Sequence, residues 1–269
     1  MRPLHRMCLE SIRLRMNDSG TTLKQLEQTG GIPTSSLSAV LRGERFPSWE
    51  ITFVIARSLD MPTNPLQRLW RAAAREADKP VDWIDHSTTS VAIMEPENPP
   101  LALQALTTLM RKPYRRYARL VLQVDDRADK VVKLVFDLLW MRWNHATTQP
   151  GLHAYAWQLL REQVMARAQK HSDGTPDLRT AAVSTRLQSG TDPDTRLDTI
   201  FSLTDIFDAI GRLPADLRDA VLLHYSCGYS EQEVALFTGT PSSAVHAHLR
   251  HAQRTLSDTY SDPDPGGTP

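Results

Sequence analysis

The chain has 269 residues, 41% hydrophobic and 23% charged, with 31 Lys plus Arg balanced by 31 Asp plus Glu. That length corresponds to roughly two domains at about 150 residues each, and the apolar share excludes wholesale disorder. Zero net charge excludes a uniformly basic nucleic-acid coat and a polyacidic solvating protein, while 12 Gly and two Cys exclude collagen-like and disulfide-framework classes.

The charge is unevenly placed. Residues 1–79 carry +4, 80–171 carry +3, 172–204 carry −2 and 205–269 carry −5. Polyanion binding is therefore expected at the front. The first ten residues lack an apolar core followed by a cleavage site, so no signal peptide is expected. No run approaches the ~18 uninterrupted apolar residues of a membrane span. A cytoplasmic, nucleoid-associated chain with two free thiols, Cys8 and Cys227, is the expectation.

Pro- and Gly-containing stretches punctuate the sequence. They predict a front domain over 1–79, a linker over 80–100, a second domain over 101–171, a linker over 172–202, a third domain over 203–258 and a disordered tail over 259–269. Between them the apolar period is helical and no strand-like alternation stands out, so the fold class is all-α, in three helical domains joined by linkers.

In the front domain, Leu9, Ile12 and Met16 form one apolar stripe that ends at Gly20, a helix stop. Thr22 suits the cap of a second helix with Leu23 and Leu26 inward. Gly30-Gly31 make a turn, and Pro33 fits the first position of a third helix reaching Arg42. There Leu37, Val40 and Leu41 share one face, and Thr34, Ser35, Ser38 and Arg42 the other. Short hydroxyls followed by Arg42 and Arg45 suit a groove-reading helix: hydroxyls reach bases or phosphates, and arginines neutralise backbone charge. Thr22 and Lys24 complete the candidate DNA-binding set. A fourth helix carries Ile51, Val54, Ile55 and Leu59, and a fifth, Pro65 to Ala77, turns Leu66, Leu69 and Trp70 inward.

Ser19-Gly-Thr-Thr-Leu-Lys-Gln-Leu26, Gly31-Ile-Pro-Thr-Ser-Ser-Leu-Ser38 and Leu41-Arg-Gly-Glu-Arg-Phe-Pro-Ser-Trp49 resemble lambda-repressor/Cro-type (XRE) helix-turn-helix domains over about 65 residues. The resemblance implies a five-helix fold that binds double-stranded DNA, often as a homodimer on paired half-sites. Glu27 stands where that family usually has a small residue, and Thr34 where a basic or amide side chain is frequent.

In the second domain, Arg111, Lys112, Arg115, Arg116 and Arg119 form a basic run interleaved with Tyr114 and Tyr117. Such a run reads as a solvated helix face or as a phosphate-contacting one. Val131, Val132, Val135, Leu138 and Leu139 make an apolar helix side continuing into Trp140 and Trp143, and Tyr155 and Trp157 lie on another helix. These aromatics fit a core, or stacking on single-stranded bases.

In the third domain, a helix follows Leu213-Pro214, Ser230 and Glu233 have capping-box spacing, and Val245, Leu249, Ala252 and Leu256 share one arc of a last helix. Leu213-Pro, Gly228-Tyr-Ser-x-x-Glu-Val-Ala and Val245-x-x-x-Leu249-x-x-Ala252 resemble region 4 of extracytoplasmic-function sigma factors. That resemblance implies a second helix-turn-helix contacting DNA through Ser242, Ser243, His246, Arg250 and Arg254. By order and distance the second domain then resembles sigma region 2, which implies RNA polymerase core contact through Asp129, Val132, Phe136 and Trp140. Only Asp129 remains of the acidic core-binding surface, beside Lys130 and Lys133. Arg161-Glu162 replaces Arg-Asn in the helix near melted promoter DNA, and His246, His248 and His251 replace basic residues of the reading helix.

No nucleophile elbow, phosphate loop or metal-ligand spacing is present, so neither an enzyme nor a cofactor nor a metal is expected. The leading expectation is a transcription regulator with an XRE-type head and a divergent sigma-like body that contacts RNA polymerase or another regulatory protein. The alternatives are a working sigma factor with an added head, and a docking protein using its acidic back.

Overall fold

The computed structural model describes residues 1–89, 91, 97–181 and 196–260, and these residues are all-α, with no strand among them. The chain divides into two compact units: residues 1–108 with 133–150, and residues 109–132 with 151–269. Among the described residues no helix is long and apolar enough to cross a membrane.

The front unit begins with α1 (Pro3–Ser19), α2 (Leu23–Gly30), α3 (Thr34–Arg42), α4 (Trp49–Ser58) and α5 (Thr63–Glu76). Leu66, Leu69, Trp70, Ala73 and Ala74 are all buried on α5, at the spacing that gives a helix one apolar face. They pack with Leu9, Ile12, Leu37 and Trp49 in one core. Trp70 stacks 5.7 Å from Trp49 and donates its indole N–H to the Pro47 carbonyl, so its polar edge is satisfied where it is buried. Pro33 lies one position outside α3, as its N-cap, not at the first helical position expected for it.

Residues 80–100, expected as a linker, carry α6 (Val81–Thr89), which belongs to this core. Pro80 precedes a helix first turn, where a missing N–H costs nothing, so the proline marks a start instead of a break. Ile84 is buried, Ser87 Oγ accepts from Trp49 N at 2.7 Å and donates to Glu50, and Arg71 donates to Thr88 Oγ1 at 2.6 Å. Farther on, the Glu97 carboxylate caps the first turn of α5 by accepting from Thr63 N and Asn64 N.

Two long helices, α7 (Leu101–Leu122) and α8 (Asp125–Met141), contribute residues to both units. In the front unit Leu138 and Met141 of α8 join the core, and Asp137 is paired with Arg68 at 2.5 Å. Helix α9 (Trp143–Thr148) follows, preceded by Arg142, which donates to Ser11 Oγ at 3.0 Å.

The back unit contains α10 (Leu152–Met165), α11 (Arg196–Arg212), α12 (Ala215–Val221), a π-helical turn (Leu222–Ser226), α13 (Glu231–Thr238) and α14 (Ser242–Tyr260). Tyr114 and Tyr117 of α7 are fully buried, with rings 5.8 Å and 4.8 Å from Trp157 of α10. These aromatics are core. Beside them lies a buried carboxylate, Asp219 of α12, which accepts from Tyr117 OH at 2.6 Å and from Trp157 Nε1 at 3.2 Å. Arg161 of α10 reaches Asp219 at 3.5 Å and Asp216 at 2.6 Å. Burial raises the Asp219 carboxyl above its ordinary range, opposed by the Tyr117 hydroxyl, the arginines 218 and 161, and the Trp157 N–H.

The second expected linker, 172–202, is structured in the part described. His171 Nε2 lies 2.9 Å from Asp208 of α11, Leu178 and Ala181 are buried, and α11 begins at Arg196. Residues 182–195, and the expected tail beyond Tyr260, lie outside the described residues.

Candidate nucleic-acid interfaces

The front helix-turn-helix is α2, a turn at Gly31 and α3. Thr22 Oγ1 accepts from Gln25 N at 3.3 Å while the Gln25 side chain accepts from Thr22 N at 2.8 Å, a complete capping box worth about 1 kcal/mol. Thr22 therefore positions α2, and Lys24 is exposed at its second position. Gly31 ends α2 at φ +66, a backbone that favours glycine, and nothing lies within 4 Å of the Cβ it lacks.

On α3 the apolar face is Leu37, Val40 and Leu41, all buried, as the spacing predicts. Of the polar face, Ser35 and Arg42 are exposed and Ser38 is half-buried, and Arg45, in the loop after the helix, is exposed. Arg42 donates to Ser38 Oγ and clasps Glu44 at 2.6 Å and 3.1 Å, holding the Glu44 carboxyl below its ordinary range. An exposed pair of this kind contributes little, so a phosphate can displace Glu44 readily. Thr34 is different. Its hydroxyl donates to the half-buried Glu27 carboxylate, so the two residues that depart from the XRE pattern satisfy one another. Thr34 is a packing residue in this state, not a free groove contact.

The back helix-turn-helix is α13, a turn at Gly239 and α14. Ser230 and Glu233 form the second complete capping box. Val245, Leu249 and Ala252 are buried, while Ser242, Ser243, His246, Arg250 and Arg254 are exposed on α14. His246 Nδ1 lies 3.2 Å from the Glu231 carboxylate, which puts an acid beside the exposed face of α14. His248 and His251 do not share an environment: His248 is half-buried and lines a small cavity with Arg161 and Asp219, and His251 is exposed. Among the described residues no group of three or more His, Cys, Asp or Glu is placed to hold a metal ion.

The back turn is docked where the front one is open. Gly239 also has φ +66, but a Cβ there would lie 2.3 Å from Ala154 N of α10. His153 Nδ1 is 2.7 Å from the Leu236 carbonyl at the same place.

The residues expected to face polymerase share one side of α8 but differ in exposure. Asp129 is exposed but held by Arg115 at 2.5 Å. Val132 and Phe136 are 5% and 9% exposed, so their apolar surface is taken up by the fold and is not offered to a partner. Trp140 is half-buried in the front unit. The basic run is similarly committed: Asp125 lies 3.0 Å from Arg119, and Arg116 sits over the Tyr229 ring at 5.4 Å. Arg111 and Lys112 stay exposed.

One exposed group escaped the sequence reading. The π-helical turn after α12 presents Tyr225, 55% exposed, whose hydroxyl accepts from Gln253 of α14 at 2.6 Å. Helical periodicity carried across Leu222–Ser226 misplaces it by part of a turn, because a π turn adds a residue to the ladder.

Residues 203–256 match the family model described as sigma-70, region 4. No curated protein matches the chain. The matched segment begins within α11 and ends within α14, so it contains α13, the turn at Gly239 and most of α14, a DNA-binding, transcription-related module.

Proposed function

We propose that the chain is a DNA-binding transcription regulator whose duplex contacts are made chiefly by an XRE-type head at its front. The observation that carries this reading is the α3 surface: Ser35, Ser38, Arg42 and Arg45 beside an open turn at Gly31, in the basic part of the chain. The sigma-like body, with a region-2-like part and the region 4 module, supplies contact with RNA polymerase or another regulatory protein. A homodimer on paired half-sites fits the head.

The region 4 match also favours a second reading, a working sigma factor carrying an extra head. Buried Val132 and Phe136 and the Asp129–Arg115 pair weigh against it, since a core-binding surface needs those groups outward.

The two readings separate in genome-wide occupancy of the full chain. Point variants are the right tool, because residues 81–89 and 133–150 complete the front core and a deletion of 1–79 would strip it. The proposal expects Arg42→Ala with Arg45→Ala to abolish most sites and Arg250→Ala with Arg254→Ala to spare them. The reverse pattern contradicts it.

A further inference from the structure

We infer that the front unit contains a binding site for a small organic monoanion with a flat apolar body, seated between Trp140, Trp143 and Arg57. A cavity of about 470 Å³ opens among the ends of α1, α4, α8 and α9, lined by these residues together with Arg15, Asp60 and Glu97. Its size falls in the range of small-molecule pockets, about 300–1,000 Å³.

The charges in it can be assigned one by one. Glu97 is engaged by the first turn of α5, where it also accepts from Thr63 Oγ1 at 2.8 Å. Arg15, with a side chain 16% exposed, donates to the Leu59 carbonyl at 2.8 Å and lies 3.6 Å from the Asp60 carboxylate. Arg57 is exposed and has no ion pair among the described residues. Arg57 is thus the lining cation without a carboxylate partner among the described residues, and its guanidinium fork matches a carboxylate or sulfonate.

The two indoles supply the apolar wall. Trp49, Trp70 and Trp83 all stack with other aromatics in the front core. Trp140 and Trp143 are half-buried, and among the described residues neither makes a ring contact nor donates its N–H. A flat ligand with one anionic group can lay its apolar body against the indoles while its anion meets Arg57.

The test titrates the full chain with 8-anilinonaphthalene-1-sulfonate, and with N-phenyl-1-naphthylamine as the same body without the charge. Probe emission and tryptophan quenching are followed together. The site predicts one saturable event for the anion, a loss of about tenfold in affinity in Arg57→Gln, and no change in that variant for the neutral probe. Trp143→Leu should weaken both probes, with circular dichroism confirming that each variant is folded. Non-saturating binding, an Arg57→Gln variant that binds the anion as well as the parent, or equal loss of both probes in that variant would overturn the inference.

Discussion

The two helix-turn-helix modules share their local grammar and differ in what surrounds it. Each opens with a complete capping box, Thr22 with Gln25 and Ser230 with Glu233, and each turns at a glycine with φ +66. Around Gly31 there is open space; Gly239 is pressed against the backbone of Ala154. Helix α3 and the loop after it expose Ser35, Arg42 and Arg45, whereas α14 exposes His246 beside Glu231, along with Arg250 and Arg254. Local sequence builds the motif, but tertiary packing and surface charge decide whether a duplex can use it. That is why the module with the family match is not the one assigned the main DNA contact.

The strongest way to break this contrast is through Asp219. Replacing it with Ala leaves the Tyr117 hydroxyl, the Trp157 N–H and Arg161 facing a void, a loss on the order of 3–5 kcal/mol. Hydrogen exchange should then accelerate in α10 and α12 while α1 to α5 keep their protection. Unchanged protection of α12 would contradict the role given to this carboxylate.

A smaller effect compares the glycines directly. Gly31→Ala carries only the left-handed strain, about 1–2 kcal/mol, while Gly239→Ala adds the displacement of Ala154 and should lower the unfolding midpoint clearly more. Equal shifts in matched urea titrations would mean that the back turn is not docked. At the low end, Arg179 holds the Asp177 carboxyl down at about 2. A depressed carboxyl stabilises the fold above its unfolded value near 3.9 and loses that contribution as pH falls through about 2. With Arg179 half exposed the effect is small, and Asp177→Asn should remove that part of the acid dependence between pH 4 and 2.

Much of this architecture is legible in the residues. Caps, glycine stops and apolar spacing locate α2 to α5, α13, α14 and the end of α1 to within a few residues, because those signals are local, whereas α1 starts six residues before its Leu9 stripe. Helix α6 is hidden because Pro80 reads equally as a linker residue and as a helix start, and only the burial of Ile84 decides. The Asp219 cluster is hidden for another reason. Tyr117, Trp157 and Asp219 lie up to 102 positions apart, and an Arg-Asp pair inside a helix looks like solvated surface. At the candidate DNA face the polar positions of α3 are readable, but the Glu27–Thr34 bond and the Glu44 clasp are not, since neither spacing is a standard helix pair.

The most direct test of where this protein reads DNA is the salt dependence of full-chain binding to duplex. The slope of log affinity against log salt reflects how many phosphates the protein neutralises. It is measured for the parent, for Arg42→Ala with Arg45→Ala, and for Arg250→Ala with Arg254→Ala. The front pair should reduce the slope by about two and weaken binding, with the back pair close to the parent. A full parental slope in the front variant, with the reduction in the back variant, would place the duplex on α14 and contradict the assignment.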